Sequence, residues 1–210
     1  MLSTVLGALL IPSVKSMDVR GFGESYPLNG PMWPLFFEYI ANIAYAFWFR
    51  KFSLRALGVL SAVFAGLLTC VAVTSAAGSV SIGWMFTGEH LWKGMVRMLF
   101  PFITGLFLFR LGKTIQMKHA MIFTSLALLV TLPMPRVGPD TLPWVNGVYE
   151  CFILIILLPL IVLIGAGSEP ITRIGEKACN FLGELSYPLY LVHYPIHCVF
   201  FGGLSDTKPA

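Results

Sequence analysis

Apolar residues fall along the chain in seven blocks, at roughly 1–13, 33–49, 56–77, 95–112, 119–134, 149–167 and 185–204. Polar and charged residues collect between them. Residues 56–92 hold one charge, Glu89, and residues 151–168 hold none. Residues 185–205 carry none apart from the neutral histidines His193 and His197. Barrel strands would show strict alternation of apolar and polar positions, and that pattern is absent. About 20 apolar residues cross a hydrocarbon core as a helix, and in lipid a helix is the remaining way to satisfy every backbone group. The pattern therefore predicts an all-α, polytopic transmembrane helix bundle of about six to seven spans. The loops are short, so residues 1–210 read as a single transmembrane domain.

Composition sharpens that picture. The chain is 57% hydrophobic and 11% charged, where soluble domains carry about 25% charged residues. The net charge of +4 reports topology, and no basic cluster on a soluble element points to nucleic acid. Alternating the loops puts Arg50, Lys51, Arg55, Arg110, Lys113, Lys118, Arg173 and Lys177 on one side. The other side receives Lys15, Arg20, Lys93, Arg97, Arg136 and Lys208. The two shortest loops, 50–55 and 110–118, are basic, which places them in the cytoplasm. The opening stretch MLSTVLGALLIPSV lacks a basic n-region and does not resemble a cleaved signal peptide. Cys70, Cys151, Cys179 and Cys198 form no CxxC pair and read as small hydrophobes, without a disulfide framework or a metal set.

Polar groups inside spans are expensive and default to a packing or functional role. In WPLFFEYIANIAY (33–45), Glu38, Asn42 and Tyr45 stand at i, i+4 and i+7, on one helical face. Glu38 can join helices near the interface or line a polar cavity. In SYPLYLVHYPIH (186–197), Ser186, Tyr190, His193 and His197 fall within an arc of about 60°, flanked by Tyr187 and Tyr194. That stripe can face the bundle interior, a wet chamber shared with Glu38, and leave Leu189, Val192, Ile196 and Val199 to lipid. The bland alternative is histidines satisfied by tyrosines. Pro188 and Pro195 kink the helix or free carbonyls, which lipid permits only beside protein or water. In VRMLFPFITGLFLFR (96–110), Arg97, Pro101 and Thr104 share a face. Arg97 can snorkel to headgroups or pair with an acid such as Glu38, whereas snorkelling suffices for Arg110.

Other short patterns carry nothing. GKT (112–114) lacks the earlier glycine of a P-loop. GFG (21–23) and GAG (165–167) are isolated, His90 and His119 have no carboxylate at ligand spacing, and no GxSxG elbow is present.

Three stretches resemble a known family. NGPMWPLFFEYIANIAYAF is similar to the Asn-Gly-Pro-x-Trp-Ser-Leu-x-x-Glu segment of the integral-membrane acyltransferase type 3 family, the O-antigen and peptidoglycan O-acetylase type. VRMLFPFITGLFLFRLG resembles that family's Arg-x-x-x-x-Phe-x-x-Gly helix. FLGELSYPLYLVHYPI resembles its Leu-Gly-x-x-Ser-Tyr-x-x-Tyr-Leu-x-His-x-Pro signature. The three occur in the family's order and cover most of the chain. Pro34 departs from the pattern, standing where the family has serine.

The resemblance implies transfer of an acyl group, commonly acetyl from acyl-CoA, to a hydroxyl of a cell-envelope glycan or lipid-linked acceptor. The setting it implies is a bacterial inner membrane. It carries catalytic roles to His193 and Glu38, and substrate binding to Trp33, Asn42, Arg97, Ser186, Tyr187 and Tyr190. Acyl-CoA enters as donor substrate, and no tightly bound cofactor or metal is expected. In the family the first motif follows several helices that carry the histidine assigned as base, and a further helix follows the last motif. The expectation is therefore a domain lacking the family's first helices and its last. Two other readings stay open. One is a catalytically inactive remnant; the other is a transporter or flippase, since intramembrane Glu, Arg and His also mark substrate paths.

Overall fold

The structure, a computed structural model, describes residues 5–7, 9–13, 23–133, 135–139, 141–168 and 173–205. Among them the fold is helical and contains no strand; a lone bridge pairs Glu24 with Met85. The main helices are α1 (Trp33–Phe47), α2 (Leu54–Thr74), α3 (Gly88–Leu111), α4 (Ala120–Thr131), α5 (Pro143–Phe152), α6 (Leu158–Ala166) and α7 (Arg173–Ser205). A 3-10 turn, Gly30–Met32, leads into α1 and another, Phe49–Lys51, follows it. A π turn, Ile153–Leu157, joins α5 to α6.

Leu54–Thr74, Gly88–Leu111 and Pro143–Ala166 are each long and apolar enough to cross a membrane, and Ala120–Thr131 is a shorter apolar helix. The chain thus folds as a helical membrane bundle. Several helices start upstream of their apolar blocks, α7 most of all. Hydropathy marks where a helix is apolar, whereas a formed helix propagates into flanking polar sequence, one hydrogen bond per added residue. Glu89 in the first turn of α3 suits the positive end of that helix.

The described residues divide into two compact units. One is drawn from Met1–Glu38, Gly83–Leu91 and Pro170–Ala210, the other from Tyr39–Ile82 and Trp92–Glu169. In the second unit, α2 carries Gly58, Ser61, Ala65, Leu68 and Ala72 at alternating spacings of three and four. Small residues at that spacing let membrane helices approach closely. Leu68, Ala72, Val80, Val96, Phe100 and Cys151 form a buried core, with Phe64, Ala65, Leu154 and Ile155 packed on it. Ser61 and Thr104 share a 2.6 Å hydrogen bond between α2 and α3. Outward-facing positions of α4, such as Phe123, Leu126 and Leu129, are exposed and apolar, as lipid contact requires.

The closest approach is between α2 and α5. A Cβ on Gly147 would lie 2.7 Å from the backbone oxygen of Ala72. Gly78, just past α2, has φ +57°, and a Cβ there would meet Pro143 O at 1.7 Å. Polar side chains of α5 lock this contact. Asn146 Nδ2 donates to Gly78 O (2.6 Å) and to Glu150 Oε1 (3.0 Å), and Asn146 Oδ1 accepts from Val137 N (3.1 Å). Glu150 Oε2 accepts from Ser79 Oγ (3.1 Å) and Val80 N (3.0 Å).

Arg110 departs from the snorkelling expected of it. Its guanidinium donates to Phe52 O, to Arg50 O (2.7 Å) and to Phe49 O (3.3 Å). Phe49 O also accepts from Phe52 N (3.1 Å), and the five guanidinium donors supply the carbonyls that run past the 3-10 turn. The two basic loops are thereby held at one end of the unit. The same end receives Ile115, whose N–H bonds Leu163 O of α6 (3.2 Å).

Gly147→Val tests the α2–α5 approach. The added methyls must push apart two backbones, so a loss of about 1–3 kcal/mol is expected. Thermal unfolding in detergent measures it, and an unchanged midpoint rejects the close contact.

Candidate functional site

The first unit contains two of the three family-like stretches, in the Asn29-Gly30-Pro31 turn and in α7. Pro195 has no N–H, so the carbonyl of Leu191, four residues earlier, lacks its helical donor. Left unpaired and away from water, such a group costs free energy on the scale of a lost hydrogen bond. Asn29 Nδ2 takes that carbonyl at 2.9 Å. A second bond runs the other way: Tyr190 Oη donates to Pro31 O. The turn and the helix thus hold each other by one side chain apiece. Asn29 Oδ1 is buried and has no hydrogen-bond partner among the described residues.

The turn is itself anchored. Asn29 N bonds Tyr26 O (3.2 Å), and Met32 N bonds Asn29 O (3.0 Å). Tyr26 is buried and its Oη donates to Leu10 O at 2.7 Å. Burial pushes its phenol pKa upward, which keeps it a neutral donor. Ser25 N bonds Trp84 O at 2.8 Å, tying the segment to the loop before α3.

One turn beyond the clamp stands His193. Its Nδ1 lies 2.6 Å from the carbonyl oxygen of Tyr190, and the two rings tilt against each other at 5.7 Å between centroids. A carbonyl can only accept, so Nδ1 carries the proton of the neutral ring. Nε2 then presents a lone pair, the form a general base requires. Tyr190 therefore does two things: its hydroxyl holds the turn and its carbonyl sets the tautomer of His193.

The half-buried positions of the described part of α7 include Tyr190, Leu191, Tyr194 and Pro195. Of the expected inward stripe, Tyr190 lies on that face, while Ser186, His193 and His197 are exposed. The reason is the clamp, which takes hold of the helix at Tyr190 and Leu191. Ser186 Oγ turns back to Gly183 O at 2.7 Å, and Tyr187 is exposed. Leu189, Val192, Ile196 and Val199 are exposed as expected. A small crevice in this unit is lined by Ser25, Tyr26, Trp33, Phe36 and Phe37 rather than by the stripe.

On α1, Phe37 and Ala41 are buried, and Trp33 packs edge-on against Phe37 at 5.8 Å. Glu38 and Asn42 share the exposed face, four residues apart, as their spacing requires. Arg97 belongs to the second unit. It is half-buried, its Nη1 reaches Ile82 O at 3.5 Å, and it lines a cavity of about 410 Å³ between α2, α3 and α6. The family stretches thus bring Tyr190 and Leu191 onto the Asn-Gly-Pro turn, with His193 held against Tyr190. Asn29 escaped the sequence reading as a site residue. The missing donor of Pro195 was a signal that some side chain must replace it.

A double-mutant cycle tests the clamp. Asn29→Ala is expected to cost about 1–3 kcal/mol, because it leaves Leu191 O unpaired. In a Pro195→Ala background the helix regains its own donor, and the cost of Asn29→Ala should fall by more than about 0.5 kcal/mol. Equal costs in both backgrounds reject the proline-released carbonyl as the target of Asn29.

A family model described as an acyltransferase domain matches residues 2–208. No curated protein and no solved structure matches the chain. The match spans nearly the whole sequence and agrees with the three motifs read from it. The chain belongs to the integral-membrane acyltransferase type 3 family.

Proposed function

We propose that the chain is a multi-pass enzyme of a bacterial inner membrane that moves an acyl group, acetyl in the simplest case, from acyl-CoA to a hydroxyl of a cell-envelope glycan or lipid-linked acceptor. Family membership supports acyl transfer in general. The observation that carries the residue assignment is the His193 ring, whose Nδ1 is committed to the Tyr190 carbonyl at 2.6 Å.

In this reading Nε2 of His193 removes the proton of the acceptor hydroxyl as its oxygen attacks the thioester carbonyl. The tetrahedral adduct collapses, the carbon–sulfur bond breaks, and the departing thiolate takes the proton back from the imidazolium. The products are the acyl ester and free CoA thiol. Glu38 offsets the imidazolium charge. Tyr190 is a positioning residue. Trp33, Ser186 and Tyr187, in the same unit as His193, contact the acceptor. Positioned proton transfer of this kind contributes about 10²–10⁴-fold.

Acyl-CoA-dependent labelling of envelope glycan, with the full chain in membranes, tests the proposal. His193→Ala should lower kcat by about 10²–10⁴-fold with KM little changed. His193→Gln, which keeps a donor toward the Tyr190 carbonyl but not the base, should fall as far. Unchanged turnover in either variant removes His193 from the chemistry. An unlabelled acceptor that nevertheless crosses the membrane would make the chain a transporter. No labelling and no movement would make it an inactive remnant.

A further inference from the structure

The cavity between α2, α3 and α6 is a void that the reaction above does not use. Its walls come from Leu54–Thr74, Gly88–Leu111 and Pro143–Ala166, the three stretches long and apolar enough to cross a membrane. It lies entirely in the second unit and measures about 410 Å³. An apolar cavity of about 150 Å³ is already enough to take up a small hydrocarbon.

The α3 wall is one face of that helix. Pro101, Thr104, Gly105 and Leu108 stand there at i, i+3, i+4 and i+7. Glycine weakens a helix relative to alanine, so its place needs a reason. Gly147 has one within the chain, since its Cβ would lie 2.7 Å from Ala72 O. Gly105 has no such neighbour: a Cβ there would meet nothing within 4 Å. The room it leaves belongs to the void. The facing wall follows the π turn and runs through Leu158 to Val162.

The polar side chains of the lining are already committed. Thr104 shares its hydroxyl with Ser61 at 2.6 Å, and Arg97 donates to Ile82 O at 3.5 Å. The remaining lining residues are apolar. A buried water needs two to four polar partners, so this lining selects hydrocarbon over water. The mouth shows where the hydrocarbon comes from. Pro101, Gly105 and Val162 are exposed. The same segments also present Phe109, Ile156 and Leu160, exposed and apolar. The void is thus a branch of the surface that a spanning bundle turns to lipid. Its floor differs, because Leu68 and Phe100 are buried.

We propose that one acyl chain of a bilayer phospholipid enters this cavity from the side and fills it, whatever the headgroup. The contact is hydrocarbon against hydrocarbon, so it selects neither a charge nor a hydrogen-bonding group.

Photolabelling of the full chain in phosphatidylcholine nanodiscs tests this. The probe is a trace of phosphatidylcholine with a diazirine in the middle of one acyl chain, and mass spectrometry locates the labelled residues. Exposed Phe123, Leu126 and Leu129 of α4 report ordinary lipid contact. Label is expected on Leu68 and Phe100 as strongly as on α4, since a chain inside the cavity lies against them. Gly105→Leu occupies the void without a clash at Cβ. It should lower the label at Leu68 and Phe100 by about tenfold, the effect of roughly two buried methylenes, and leave α4 unchanged. A phosphatidylglycerol with the same chains should give the same pattern. Absence of label at Leu68 and Phe100 in the wild-type chain overturns the proposal, as does an undiminished label in Gly105→Leu or a preference for one headgroup. Loss of the label on adding acyl-CoA also overturns it, by making the cavity a substrate site. Should Gly105→Leu fail to fold, Val162→Phe fills the void from the facing, exposed position and is read in the same way. No arm depends on turnover, so this reading and the acyltransferase reading can fail separately.

Discussion

The first unit depends on a carbonyl that its own helix cannot satisfy. Pro195 deprives Leu191 O of a donor, and Asn29 supplies one from a turn 162 residues away in sequence. In water such a defect is cheap, because solvent fills it. Away from water it calls for a protein partner, so a proline in α7 becomes an attachment point with a fixed position and direction. The reciprocal bond from Tyr190 to Pro31 O fixes rotation about that point. The orientation of His193 follows, since its ring is tied to the backbone of the residue that makes the second bond.

The second unit solves a related problem with different parts. Helix ends and connecting loops expose carbonyls and N–H groups that must be met. At one end Arg110 gathers the carbonyls after α1, and at the other Asn146 and Glu150 gather the backbone of residues 78–80. Charged and amide side chains near the ends of these helices act here as caps for neighbouring segments. Their polarity does not by itself mark chemistry.

That distinction explains what could be read from residues alone. The helical class was legible, and so were the three long apolar helices among the described residues, because apolar block length is a local property and lipid allows few alternatives. The shared faces were legible too: Glu38 with Asn42, and Arg97 with Pro101 and Thr104, follow from 3.6 residues per turn. The partners were not. Nothing local says that Asn29 meets Leu191, or that Arg110 turns to carbonyls rather than headgroups. Asn146 was overlooked for a simpler reason: the expected span began at 149, which left it in a loop. Family likeness pointed to this turn and helix, but the rotation of α7 about its axis is set by contacts between them.

The π turn between α5 and α6 has a consequence for how this chain tolerates change. A π turn accommodates one residue beyond the α count, beside a proline whose ring would otherwise press on the carbonyl of Ile155. Each residue of helix is worth about 100° of rotation. Closing Ile153–Leu157 into α-helix without removing a residue would swing Leu158 and Val162 by about that angle, while Asn146 and Glu150 kept their places. The hollow beside Arg97 therefore owes its outline to a counting feature of the main chain. Swapping one aliphatic residue for another along that wall alters it far less than closing that turn would.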